Sequence, residues 1–289
     1  TEVQHHVAHV LGGFANAVDV QVRRMGGGFG GKESQATIIA CAAALLARKT
    51  GRPVRMRLKR SADMSATGKR HDMVSKWRIG VTDEGRIVGA DVEYLARAGN
   101  TADLTGPVIT RSLTHTDNAY HFPAARFVGH ACKTNTVSNT AFRGFGGPQG
   151  VIVAERIIED IAYATGQDTL AVRKVNLYRN GDLTPYHQEV EDQILPRIFE
   201  ELEASSDYHA RRQAVLDWNA RMQAAGGPIR KGIALTPVKF GISFTATHFN
   251  QAGALVHVYN DGSIAMNHGG TEMGQGLFQK VAQVAASRF

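Results

Sequence analysis

Cysteine is almost missing from this chain: 289 residues contain two, Cys41 in the apolar run IIACAAALLA and Cys132 beside Lys133. Two cysteines build neither a disulfide framework nor a cysteine-held metal cluster, so any redox chemistry must pass its electrons to something outside these residues. Long apolar runs are missing as well. No uncharged stretch approaches the roughly 18 residues that a membrane-spanning helix needs. The opening TEVQHHVAHV lacks the basic-then-apolar layout of a secretory signal, and the cytoplasm is the expected compartment. There is no HExxH, and the twelve histidines are dispersed, so no histidine is assigned a metal-binding or catalytic role.

What is there reads as an ordinary globular chain, 43% hydrophobic and 20% charged. The net charge of +7 and isoelectric point near 9.5 raise the question of nucleic acid. The basic residues concentrate in RPVRMRLKR and GKRHD, and no aromatics interleave them as a base-stacking platform would require. Nucleic acid is therefore not expected as a partner. A phosphate-bearing cofactor, an acidic partner surface or a charge-protected strand edge fits that stretch instead.

Periodicity predicts a helix from Val3 to Leu11, a strand from Val18 to Arg24 running into GGGFGGKE, and a helix over SQATIIACAAALLARK closed by Gly51. Met56 to Leu58 reads as a strand, and KWRIGV, TDEG and RIVGADVEYL as a hairpin. A second strand, loop and helix unit is expected over TNTVSNTAFRGFGGPQG and VIVAERIIEDIAYATG. A charged helical stretch runs from Leu195 to Ala225 and stops at GGP. GALVHVYNDGSIAMNHGG is a hairpin turning at Asn260, Asp261 and Gly262, and GGTEMGQG leads into a last helix from Leu277 to Arg288. Helices at both extremities suggest an internal fragment. Strands and helices do not alternate strictly, so the expected class is α+β, with mixed sheets and packed helices.

Thirteen of the 31 glycines sit in three loops, Gly26 to Gly31, Gly144 to Gly150 and Gly269 to Gly276. Glycine lets backbone approach a ligand closely, and a following helix start offers unpaired N–H groups to anions. Three such loops converging would bed a large anionic cofactor, although none matches a nucleotide fingerprint. Lys32 is followed by Glu33 where a phosphate loop would carry Ser or Thr, and a carboxylate there suits a partner that donates a hydrogen bond.

Five motifs carry a resemblance: RMGGGFGGKE, NTAFRGFGGPQG, KFGISFT, NQAGALVHVY and HGGTEMGQG. In this order and spacing they resemble the molybdenum-cofactor-binding subunit of the xanthine dehydrogenase and aldehyde oxidase family. The resemblance runs essentially end to end. It implies a molybdopterin cofactor held by hydrogen bonds, with no protein side chain on the metal, and 2Fe-2S and FAD groups elsewhere in the complex. It places residues 1–205 in the C-terminal portion of a first cofactor-binding domain, 206–231 in a helical linker and 232–289 in the N-terminal portion of a second.

Residue by residue, the resemblance makes Glu33 a catalytic group that hydrogen-bonds a purine, whereas its plainer reading is an acid in the first turn of a helix. Arg111 is implied across the pocket, stabilising negative charge on the purine oxygen. Related aldehyde oxidases lack this pair, so its presence points to hydroxylation of hypoxanthine to xanthine and xanthine to urate, with electrons leaving through Fe–S and FAD to NAD. Phe145 and Phe244 are implied as the two rings that hold the flat substrate, and Thr245 as a hydroxyl beside it. Phe29, Gly30, Arg143, Met273 and Gln275 are implied as cofactor contacts. A general-base glutamate is expected beyond Phe289 and a glutamine upstream of Thr1, so these residues alone are expected to be inactive. A dimer of complexes with an Fe–S- and FAD-bearing partner is implied. The alternatives are an aldehyde oxidoreductase of the same family and a non-catalytic molybdopterin-binding module.

Overall fold

A computed structural model describes residues 2–22 and 25–289. The middle of the chain is built on a three-stranded sheet of β1 (Met73–Val81), β2 (Ile87–Gly99) and β3 (Ala125–Lys133). β1 and β2 form the expected hairpin, turning through Thr82 to Gly85, whereas β3 joins β2 in parallel with Val92 opposite Phe127. The sheet is thus mixed, as expected. β2 is its central strand, and Val92, Tyr94, Ala96 and Ala98 along one of its faces are buried.

That face is covered by α4 (Thr105–Leu113) and α5 (Gly147–Thr165), with α6 (Thr169–Asn176) behind α5. Ile157, Ile158 and Ile161 of α5 pack with Val92 and Tyr94 of β2 and with Leu170 and Val172 of α6. Each such buried side chain contributes about 1.5–3 kcal/mol. α5 ends where Gly166 turns left-handed, and Asp168 restarts the chain by accepting the amides of Leu170 and Ala171 at 2.9 and 3.3 Å. A buried polar knot ties these elements together. Glu155 on α5 accepts from Arg173 Nε at 2.9 Å, the Tyr120 hydroxyl at 2.7 Å and Asn118 Nδ2 at 2.9 Å. Arg173 also reaches Glu159 at 2.9 Å.

Around this core stand α1 (Glu2–Val10) packed on α2 (Ala36–Thr50), then α3 (Arg60–Ala66), α7 (Leu195–Ser205) and α8 (Tyr208–Ala224). β4 (Ala254–Val258) and β5 (Ile264–His268) form an antiparallel hairpin that precedes α9 (Leu277–Ala286). No helix among the described residues is long and apolar enough to cross a membrane.

Four expectations from local pattern are corrected. Residues 18–22 form no strand: Val20 and Val22 are both exposed and no neighbouring strand pairs them, while Arg23 and Arg24 lie outside the described residues. Met56 to Leu58 forms no strand, and after the extended Lys59 the chain turns into α3. The strand of the second unit is Ala125–Lys133, upstream of TNTVSNTAFRG, which is irregular. The helical stretch from Leu195 to Ala225 breaks at Asp207, whose φ of 51° lies in the left-handed region.

Candidate active site

The three glycine loops meet. A Cβ on Gly30 would stand 2.8 Å from the carbonyl carbon of Ala141, so the first loop packs backbone to backbone on the segment that leads into the second. A Cβ on Gly28 would stand 2.8 Å from Met273 Sδ, which brings the third loop against the first. The first two loops share a conformation. Phe29 and Phe145 both have positive φ, 51° and 53°, and each is followed by a glycine at +89° or +101°. Positive φ in a bulky L-residue costs on the order of 1–3 kcal/mol, so packing holds it in place. At the second loop that packing is the backbone of α4: a Cβ on Gly146 would lie 2.1 Å from the Val108 carbonyl oxygen.

Beyond the first loop, Asp103 fixes the chain on which Glu33 sits. Its carboxylate accepts from Ser34 Oγ and Gln35 Nε2, both at 2.8 Å, and Gln35 in turn accepts the Gly68 amide at 2.6 Å. Helix α2 begins at Ala36 with Gln35 as its cap, so Glu33 lies ahead of the helix and is not a first-turn acid. The residue as a whole is exposed, but its carboxyl is crowded on one side. That crowding, with Glu2 and Asp103 nearby, raises its pKa above the ordinary value.

Arg111 projects from the last turn of α4 and is buried, 5% exposed. It donates from Nη1 to the Gly241 carbonyl at 2.7 Å and from Nη2 to the Ser243 carbonyl, while its Nε is buried without a partner. Its guanidinium carbon lies 5.5 Å from the centre of the Phe240 ring. Burial lowers its pKa, but a guanidinium remains charged near neutral pH. Through these bonds α4 holds an irregular strap, residues 235–245, that delivers Phe244.

Glu33, Arg111, Phe145 and Phe244 line one cleft of about 330 Å³, together with Gly144, Phe240, Ile242 and Ser243. The two phenyl rings stand 5.8 Å apart and tilted by 54°, which leaves a face of one and an edge of the other to grip a flat molecule. Among the described residues neither Glu33 nor Arg111 is paired with an opposite charge. The cleft therefore offers a carboxyl and a guanidinium, both with hydrogen-bonding capacity left, beside two aromatic rings.

Other predicted residues fall nearby but not in the cleft. Thr245 lines a neighbouring cavity of about 470 Å³ that shares Arg111, Phe240, Ser243 and Phe244 with the first. Phe29 is exposed, and the Arg143 guanidinium lies 6.0 Å from its ring centre. Gln275 folds back on its own loop, accepting the Met273 amide at 2.6 Å and donating to the Thr271 carbonyl at 2.9 Å. Sequence reasoning missed His115, Lys239 and Phe240, which wall the second cavity. The available signal for His115 was its spacing four residues after Arg111, one helical turn on.

A mixed sheet backed by helices thus carries glycine-rich loops beside a two-ring cleft, the arrangement of a domain that binds a cofactor next to a flat substrate. Residues 1–177 match the model of a molybdopterin cofactor-binding domain, and residues 201–289 match that of another. The chain belongs to the molybdopterin cofactor-binding domain family. It is 49% identical over 286 residues to the xanthine dehydrogenase/oxidase of Felis catus and 47% identical to the xanthine dehydrogenase of Emericella nidulans, in each case over 99% of this chain and 21% of the relative. It is also 45% identical over 287 residues to the nicotinate hydroxylase of Emericella nidulans, again 99% of this chain and 21% of that one. The chain thus spans about a fifth of the length of these relatives. In fold it resembles quinoline 2-oxidoreductase from Pseudomonas putida, with a TM-score of 0.76 and 20% identity over 98% of this chain and 37% of that one.

The residues present fit such a cofactor. Glycine bares the backbone of the first loop at Gly28 and Gly30, where its neighbours approach, and Arg143 is exposed beside it with no carboxylate partner among the described residues, a charge suited to a phosphate.

Proposed function

We propose that this chain forms part of the substrate-binding half of a molybdenum hydroxylase acting on purines, converting hypoxanthine to xanthine and xanthine to urate. The observation that carries the reading is the joint presence of Glu33 and Arg111 in one cleft with the tilted rings of Phe145 and Phe244. When bound, the molybdopterin cofactor supplies the redox centre that takes two electrons from the substrate and delivers oxygen originating in water.

The chain's own residues then have separate tasks. Phe145 and Phe244 hold the heterocycle by face and edge. Glu33, with its raised pKa, shares a proton with a ring nitrogen: it accepts a hydrogen bond when ionised and donates one when protonated. Each Nη of Arg111 is left with a second N–H after reaching the strap, and these donors stabilise negative charge as it builds on a purine oxygen. Arg143 and the backbone of the first two loops hold the cofactor side, with Met273 and Gln275 closing it from the third loop. Electrons pass to Fe–S and FAD groups on a partner subunit or domain and from there to NAD, within a dimer of complexes in the cytoplasm.

The test is turnover of xanthine and of benzaldehyde by the full-length complex, comparing wild type with Glu33→Ala and Arg111→Ala. Loss of an oriented charge partner predicts a fall of about 100-fold or more in kcat/KM on xanthine and a smaller one on the aldehyde. Equal xanthine activity in all three proteins overturns the reading. A second reading, hydroxylation of nicotinate, is supported by the 45% identity to a nicotinate hydroxylase, since the xanthine dehydrogenase of the same organism stands at 47%. Nicotinate belongs in the same assay.

A further inference from the structure

The strap that carries Phe244 is held to α4 and its following turn by side chains, not by a β-ladder. Asn118 uses both ends of its amide, donating to the Pro237 carbonyl and accepting the Lys239 amide, each at 3.0 Å. Farther along, His115 Nε2 accepts the Gly241 amide at 3.0 Å, and His115 Nδ1 faces the Arg111 carbonyl at 2.8 Å. Arg111 closes the circuit by donating to the Gly241 carbonyl at 2.7 Å. Both polar groups of Gly241 are thus fixed by side chains one helical turn apart. Only one form of the imidazole fits: Nδ1 meets a carbonyl and must carry the hydrogen, while Nε2 meets an N–H and must not. His115 is buried, and the Phe240 ring leans on it with centroids 4.9 Å apart.

We propose that His115 is a positioning residue of this site: its neutral imidazole sets the register of the strap, and so the placement of Phe244 and Thr245 against Glu33, Arg111 and Phe145. His115 does not line the cleft that holds Glu33, so it acts through the strap and not on the substrate there. A slip of one residue would present Ser243 or Thr245 where Phe244 stands. The inference rests on reading the cleft as a heterocycle hydroxylation site, and goes beyond it by naming what holds that cleft in shape. The charged groups facing the imidazole are Arg111 from its own helix and Lys239 from the strap, the latter paired with Asp117; α5 meets it with Gly150, which carries no charge.

The experiment uses two amide variants of the full-length complex that differ in length by one methylene. His115→Gln keeps an acceptor within reach of the Gly241 amide, whereas His115→Asn is too short to reach it. Two quantities are read: KM and kcat for xanthine, and amide hydrogen exchange in peptides covering residues 237–245 against peptides from β2. For H115N the expected result is a KM raised about tenfold, with kcat within about twofold, because a buried donor loses its partner. Exchange in the strap should rise while β2 stays protected, and H115Q should match wild type in both readouts. Identical behaviour of H115N and H115Q overturns the proposal. If the wild-type complex oxidises benzaldehyde but not xanthine, the purine reading fails by itself, and KM is then read on the aldehyde, which the same two rings hold. Should H115N not fold, H115Q decides by itself: it must keep the wild-type KM and the wild-type protection of residues 237–245, and a raised KM or faster strap exchange in it sinks the idea.

Discussion

Gly30 and Ala141 are joined by contact of main chain on main chain: a methyl group on residue 30 would sit 2.8 Å from the Ala141 carbonyl carbon, at a residue whose φ is +89°. Neither atom can yield as a flexible side chain would. Gly30→Ala in the full-length protein is expected to cost about 2–4 kcal/mol, part from the left-handed backbone and part from pushing the two loops apart. Calorimetric Tm and molybdenum content per protomer measure it; an unchanged value of both would mean the loops do not meet.

The tilted pair Phe145 and Phe244 predicts that either ring is needed for affinity. Phe244→Leu should raise KM for a purine about tenfold, the loss of one aromatic contact and its buried area, with kcat less affected. Phe145→Tyr keeps a ring of the same shape and should stay near wild type. Steady-state kinetics of the two variants separates ring chemistry from mere bulk.

His115 sets a pH dependence whose sign follows from its surroundings. Burial holds its pKa below the ordinary 6.5, so between those two values the unfolded chain binds more protons than the folded one. Its contribution to stability is complete above pH 6.5 and is lost as pH falls through the folded value. Glu33 acts in the opposite sense, its raised pKa favouring the folded state at low pH and weakening it as pH rises. The Tm difference between wild type and His115→Gln should therefore shrink or reverse on going from pH 7.5 to 5, and a pH-independent difference refutes the assignment.

Arg173 is buried, its side chain 3% exposed, between Glu155 and Glu159. Glu155→Leu leaves that charge half-compensated and strips the Tyr120 hydroxyl and Asn118 of an acceptor. The expected cost is about 3–5 kcal/mol, most of it recovered when Arg173→Met is added. Melting temperatures of the two single variants and the double variant close the cycle.

The elements legible in the sequence are those whose signals are local. Gly51 ends α2 in the left-handed conformation, Asp261 and Gly262 turn the β4–β5 hairpin, and the glycine loops were found where they stand. β3 was not legible, because ARFVGHACK lacks clean alternation and its partner is a parallel strand reached only through α4. The false strand before the first glycine loop had the alternation but no neighbour to pair with. At the site, Glu33, Arg111, Phe145 and Phe244 were named through motifs and the fold brings them together. His115 and Asn118 escaped because their partners are main-chain atoms 126 and 119 residues away, on a strap with no regular structure of its own.

That separation gives the cleft a history. α4, the first two glycine loops and the sheet all precede the end of α6 in the chain, yet one wall of the cleft is supplied by a segment 130 residues after Arg111. Until that segment has been synthesised and has found its anchors, the pocket stands open on the side of Phe244. In chain order, the ring that completes the two-ring grip is therefore delivered last, about a hundred residues after Phe145.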